Sequence, residues 1–299
     1  MTIQLGPNQY GKAETRLVHV TRGAEAHEIV DLNVSTALSG DLADTHITGD
    51  NAKVLPTDTQ KNTVLAFAKE HGVGEIEDFG LKLARHFVST QEPIHRARVT
   101  IEQYGWERID VGDTPAPHSF QRTGREVRTA MVTVDSTDSA ANTDGERAWV
   151  VSGLKDLVVL NTTDSEFWGY PKDRYTTLPE THDRILATAV NAQWRHVDTD
   201  SDWGKSYDAV RRHLTEAFAT TYSLSLQQTL YAMGQRVLEH CPEIAEVRLS
   251  LPNKHHFVVD MAPFGLSNDN EVFFAADRPY GLIEGTIVQD TAPEPGLAW

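Results

Sequence analysis

The segment TDTQKNTVLAFAK at 57–69 and the segment SLSLQQTLYAMGQ at 223–235 occupy equivalent places 166 residues apart, with Thr63 set against Thr229 and Ala66 against Ala232. Each opens a helically spaced run on hydroxyl residues suited to N-capping, and Ser225 followed by Gln228 has the spacing of a capping box. The same order of elements recurs around both. Alternating apolar and polar positions mark strands at RLVHVTR, EIVDLNV, RARVTIEQYGW and TAMVTVDST, then again at AWVVSGLKDLVVLNTT, ILATAVNAQWRHV, EVRLSLPNKHHFVVDM and EVFFAAD. Helical spacing links Val64, Phe67 and His71, then Phe79, Leu83 and Phe87; in the second half it links Val210, Leu214 and Phe218, then Leu230, Met233 and Val237. Strand, strand, helix, helix, strand, strand, stated twice without βαβ alternation, predicts an α+β fold with antiparallel sheets whose helices cover one face. The chain's 299 residues exceed the usual size of one core and fit two packed units. Sheets covered on one face leave edges and a second face open, which favours closure into a barrel with neighbouring subunits.

These patterns divide the chain into a first unit at 1–140, a second at 141–288, and a tail at 289–299. The tail, QDTAPEPGLAW, is Pro-rich and acidic and reads as mobile. The acidic, Ser/Thr-rich stretch VDSTDSAANTDGER at 134–147 is the expected junction, with a hairpin loop inside one domain as the alternative.

Charge narrows the partners. Lys and Arg total 27 against 43 Asp and Glu, a formal charge of −16, which opposes any partner bound by phosphate neutralisation and so excludes nucleic acid. An anionic small substrate would need its own local cation. Cys241 is the single cysteine, so no intrachain disulfide or multi-thiolate zinc site forms, and a reducing cytoplasm fits. No apolar signal core, membrane-length run or terminal Ser-Lys-Leu address appears, so the expected location is cytoplasmic.

No Gly-rich phosphate loop, His-Glu-x-x-His motif or Gly-x-Ser-x-Gly elbow is present. His86, His95, His118 and His255 sit near element ends, but scattered histidines more often complete hydrogen bonds than bind metal. The densest polar cluster is LPNKHHF at 251–257. Consecutive strand residues face opposite ways, so of His255 and His256 a regular strand would offer only one to a pocket. Other candidates have ordinary alternatives: Lys12 in YGK as a solvated turn, PTDT at 56–59 as a helix cap, Arg184 as a surface partner for Asp183, and Phe167 as core.

Taken together these segments resemble the urate oxidase family over nearly the whole chain. LVVLNTTDSEFWGYPKDRYTTLPETHDR at 157–184 is similar to the family's signature: an aliphatic strand, two hydroxyl residues, then Phe167, Tyr170, Tyr175, Leu178 and Arg184 at fixed intervals. It departs at Asn161, where the signature normally has Lys. YGK, PTDTQKNT, HFV, PHSF, SGLKDL, SLSLQQT and LPNKHHF match further family segments in the same order. The resemblance implies the tunnelling fold, with tandem ββααββ units in each subunit and four subunits forming a barrel with a central tunnel. It implies oxidation of urate by O₂ and water to 5-hydroxyisourate and hydrogen peroxide, without metal or flavin.

Carried over by motif, Lys12 and Thr57 would remove the proton, with His255 continuing the relay, and Asn253 would supply an amide above the purine plane where O₂ binds. Arg184 and Gln227 would grip the urate edge and Phe167 would stack beneath it, while Leu226 and the Asp58–Thr59 backbone would complete the wall. The resemblance also implies that Lys12 and Thr57 face a pocket whose other residues belong to the adjacent subunit, and that His256 is structural. The competing interpretations are a pterin- or guanine-handling enzyme of the same fold and a noncatalytic binding homologue.

Overall fold

A computed structural model describes residues 1–124, 126–137 and 145–299. The chain packs as two compact units: Met1–Gly153 with Arg195–Gly204 and Pro293–Trp299, and Leu154–Trp194 with Lys205–Ala292. The first unit carries β1 (Tyr10–Arg22), β2 (His27–Gly40), the short α1 (Ala43–Ile47), α2 (Thr57–His71), α3 (Ile76–Thr90), β3 (Ile94–Tyr104), β4 (Trp106–Val111), β5 (Thr114–Arg122), β6 (Val127–Asp135) and the start of β7 (Arg147–Asn161). The second carries the rest of β7, then β8 (Leu186–His196), α4 (Trp203–Thr220), α5 (Leu226–His240), β9 (Ile244–Val258) and β10 (Phe273–Val288).

Each unit is an antiparallel meander interrupted by a helix pair. Strand order is β1-β2-β3-β6-β7 in the first unit and β7-β8-β9-β10 in the second, with β4 and β5 forming a separate hairpin. That hairpin went unread in the sequence because WERIDV and TPAPHSFQR lack a buried alternate face: both strands are mostly exposed. The division falls within β7, at Gly153 and Leu154, rather than at 140/141. β6 and the first part of β7 are sheet neighbours within the first unit. The central part of the expected junction at 134–147, residues 138–144, lies outside the described residues.

The period-2 and period-3.6 patterns meet in the cores. In the first unit Phe79, Leu83 and Phe87 of α3 are fully buried among Val99 and Ile101 of β3 and Val132 and Val134 of β6. In the second, Leu230, Met233 and Val237 of α5 pack with Val247, Leu249 and Leu251 of β9. The α5 helix lies so close to β10 that a Cβ at Gly234 would come within 2.5 Å of Ile287 Cδ1, so the helix–sheet spacing depends on a residue without a side chain. Cys241 is buried in this core, and burial pushes its thiol up to about 11, which removes it as a nucleophile at neutral pH.

The tail does not hang free. Ala298 is 1% exposed, and Leu297 and Trp299 pack with Trp149, Val151 and Met131 of the first unit. Arg98 donates to the backbone oxygens of Leu297 and Trp299 at 2.8 and 2.9 Å, and Arg195 donates to Pro293 O at 2.9 Å. Gly296, at φ 53°, lies where a Cβ would sit 2.7 Å from Trp149 Nε1. Composition read the Pro and acidic residues of this segment and overlooked the apolar anchor Leu-Ala-Trp.

A buried polar network also sits in the first unit. Ser152 Oγ donates to Glu77 Oε1 at 2.6 Å and lies 3.0 Å from His196 Nε2, while Arg128 reaches Glu77 Oε2 at 2.8 Å. Burial raises the Glu77 carboxyl above its ordinary range. Burial first, and the Arg128 charge second, push His196 down to about 3. An imidazole of lowered pKa binds fewer protons folded than unfolded, so its contribution is complete above 6.5 and is lost as pH falls from there toward about 3. Between pH 7 and pH 5 the wild type is expected to lose about 2 kcal/mol more stability than His196→Gln. Urea unfolding at the two pH values checks this, and equal losses would contradict it.

Among the described residues, no helix is long and apolar enough to cross a membrane.

Candidate active site

Two clusters of the expected residues form, one in each unit. In the first, Lys12 lies on β1 at an irregularity between Lys12 and Thr15, paired with Thr36 of β2. Its backbone N–H donates to Thr36 Oγ1 at 3.3 Å, and Thr36 Oγ1 donates to the buried Gln60 Oε1 at 2.7 Å. This short chain of bonds ties the Lys12 backbone to the first turn of α2. The Lys12 charge also contributes to lowering the Asp58 carboxyl, after the hydrogen bond and charge of Lys61 and the hydrogen bond of Asn62.

The start of α2 departs from the expected cap. Its N-cap is Pro56, with no side-chain capping bond, and Thr57 is the first helical residue. The first intrahelical bond is Gln60 N to Pro56 O at 3.1 Å, so the N–H groups of Thr57, Asp58 and Thr59 precede the ladder. A helix start of this kind favours anions. In the second unit Ser225 does cap α5, accepting from Gln228 N at 3.2 Å, while Gln228 Oε1 accepts from Leu224 N at 2.7 Å. The two repeats therefore diverge where their helices begin: the second is closed by its own side chains and the first is left open.

The second unit holds a cavity of about 360 Å³ lined by Phe167, Arg184, Asn253, His255, Phe257 and Phe273, among others. Phe167 is fixed by reciprocal backbone bonds with Thr181, at 2.8 and 3.0 Å, and stacks on Tyr170 with ring centroids 4.9 Å apart. The Arg184 guanidinium carbon lies 5.2 Å from the Phe167 ring centroid, and burial depresses its pKa without removing the charge. A flat apolar ring beside a partly desolvated planar cation suits a planar, anionic heterocycle.

The irregularity of β10 shapes the other wall. His255 pairs with Ala276 and Asn253 with Gly281, so β10 carries residues 277–280 across the single residue Lys254. Such extra residues re-aim side chains at strand ends and are common beside active sites. His256 lines the cavity together with His255, although flat alternation would have sent it to the other face. Its Nδ1 is held 2.9 Å from Lys254 O. Burial, then the charges of Arg184 and His256, lower the His255 pKa, leaving a neutral imidazole at pH 7 that can accept a proton.

Leu226 and Gln227 open α5; Leu226 is buried in the core of the unit and Gln227 is exposed, and neither lines this cavity. Phe257 and Phe273 were not singled out from the sequence. Phe257 was readable by alternation from His255, whose ring it stacks on at 5.8 Å, whereas Phe273 depends on a long-range strand pairing with Val258. Among the described residues no group of three or more His, Cys, Asp or Glu converges as metal ligands.

Comparison with known proteins adds independent findings. The uricase family model matches residues 8–133 and 150–284. The chain is 51% identical to the uricase of Arthrobacter globiformis over 288 residues, covering 96% of this chain and 91% of that protein. It is 38% identical to the uricase of Dictyostelium discoideum, covering 94% and 96%. A crystal structure of the Arthrobacter globiformis uricase superposes with a TM-score of 0.91 at 49% identity, over 98% of each chain.

Proposed function

This chain belongs to the uricase family, and we propose that it oxidises urate with a proton-removing group from one subunit and a substrate clamp from its neighbour. The overall reaction takes urate, O₂ and water to 5-hydroxyisourate and hydrogen peroxide. Two electrons leave the purine, O₂ takes them with two protons as peroxide, and the oxygen of water ends on the purine. The observation that carries this is the pairing of Arg184 with Phe167 in a cavity that also presents Asn253 and His255.

Each residue has one task. Arg184 donates parallel hydrogen bonds to the anionic edge of urate, whose ring lies on Phe167, and Gln227, outside the cavity lining at the start of α5, would reach the same edge from the helix start. Removal of a further proton makes an electron-rich dianion able to pass an electron to triplet O₂. The Thr57 hydroxyl relays that proton to Lys12, and neutral His255 shares it. The open N–H groups at Asp58 and Thr59 would face the developing negative charge, Leu226, outside the cavity lining in the single chain, would close the wall with them, and Asn253 would hold O₂ and then water above the ring. The electron donor is the substrate dianion, and the scheme calls on no metal or flavin.

Four copies forming a barrel with a central tunnel would bring Lys12, Thr57 and Asp58 of one subunit to the clamp of the next. Edge strands support assembly: β1 and β10 each pair on one side only, and they expose Val18 and Val20 or Leu282 and Val288. We place the enzyme in the cytoplasm, where a single buried thiol needs no oxidising compartment.

The direct test is loss of urate's near-ultraviolet absorbance on chelator-treated protein, with peroxide measured in parallel. One peroxide per urate consumed is expected, and no urate loss by folded, assembled protein would contradict the proposal. The acid limb of kcat/KM is a second expectation. A His255 pKa lowered below 6.5 keeps the imidazole neutral into weakly acidic solution, so activity should fall only as pH drops through that lowered value. A limb centred at or above 6.5 would remove His255 from the relay.

A further inference from the structure

Arg184 is held from behind by a hydroxyl that the scheme above does not use. Ser165 is 1% exposed, and its Oγ accepts the Arg184 Nε–H at 3.2 Å. With Nε engaged, the two terminal nitrogens remain for a bidentate contact on the cavity side, where Arg184 is part of the lining. A guanidinium with five donors has several ways to meet a substrate, and a fixed acceptor on Nε selects one.

The backbone of Ser165 has a second attachment. It forms a parallel bridge to Ser223, flanked by Glu166 N to Ser223 O at 2.7 Å and Ser223 N to Asp164 O at 2.8 Å. Ser223 is fully buried. Its Oγ accepts from Thr229 Oγ1 at 2.8 Å and donates to Ser225 O at 3.1 Å, and Ser225 is the N-cap of α5. Gln227 lies two residues on. The backbone bridge from Ser165 to Ser223 and the buried Ser223 hydroxyl together join the segment holding Arg184 to the helix start that bears Gln227.

We infer that Ser165 is a positioning residue for Arg184: by accepting the Nε–H it turns the paired terminal nitrogens toward urate, and through its bridge to Ser223 it keeps them in register with Gln227. This rests on the clamp proposed above. Ser165 touches no substrate, so its effect appears in binding and passes entirely through Arg184.

The test is urate affinity without O₂, measured by direct titration of the assembled enzyme, with kcat measured separately at saturating urate. Ser165→Ala is expected to weaken binding about tenfold, the usual scale of a hydrogen bond to a charged group, and to leave kcat within about twofold. Ser165→Thr keeps the acceptor and should hold affinity within about threefold. In an Arg184→Gln background, Ser165→Ala should cause no further loss. If Ser165→Ala does not fold, Ser165→Cys makes the same comparison, because a thiol is a weak acceptor. Unchanged affinity in the alanine or cysteine variant, equal losses with Thr and Ala, or a full further loss in the Arg184→Gln background would each overturn the inference. The Arg184→Gln single variant isolates the clamp: unchanged affinity there removes the clamp reading itself, whatever Ser165 does.

Discussion

Lys12→Met is expected to lower kcat by about 10² to 10⁴, the usual contribution of a positioned proton transfer, while urate still binds. Thr57→Ala should fall in the same range. The geometry gives each a reason. Thr57 is left without a capping role at the mouth of α2, and the Lys12 backbone is tied to that turn through Thr36 and Gln60. A methionine keeps most of the length and the apolar stem of lysine, so the loss reads the ammonium and not the packing. In the proposed relay the two groups act as one unit, so the double variant is expected to be little slower than the slower single variant. Single-turnover oxidation followed after mixing urate-loaded enzyme with O₂ separates this step from binding. Wild-type turnover in both single variants would remove the base assignment.

Arg184→Gln should act on the other quantity. A hydrogen bond to a charged group contributes about 1.5 to 3 kcal/mol, so urate affinity is expected to fall about 10- to 150-fold. Glutamine retains donors but not the charge or the fork, and the partly buried position makes that charge more effective than it would be in water. The protein's acidic balance, 43 acidic against 27 basic residues, sharpens the expectation, since no general field draws urate in. Direct titration in the absence of O₂ is the check, and an unchanged Kd would take Arg184 out of the clamp.

The architecture was legible because it is written in two simple periods. Phe79, Leu83 and Phe87 recur at helical spacing and meet strands whose alternate residues, such as Val132 and Val134, are buried. Ser225 and Gln228 announced a helix start that the structure forms. What escaped were features that no local period encodes. β4 and β5 bury neither face, so alternation has nothing to report. The tail is held by Arg98 and Arg195, distant in sequence, and by a terminal apolar triplet within an acidic, Pro-rich context.

The site divides the same way. Phe167 and Arg184 stand in one continuous stretch and were readable by their resemblance to a family pattern. Ser165 stands in that stretch too, but its task appears only when the Arg184 side chain folds back onto it. His256 shows the opposite failure. Alternation assigned it to the far face, yet it lines the cavity beside His255.

A site shared between neighbours makes one demand that a self-contained site does not. Lys12→Met and Arg184→Gln subunits, coexpressed with different tags and purified as mixed assemblies, should recover activity at low urate that neither variant shows alone. Random mixing places an intact Lys12 half against an intact Arg184 half at about a quarter of the sites, so about a quarter of the wild-type rate is expected. Mixed assemblies no more active than the parent variants would contradict a site built from two subunits.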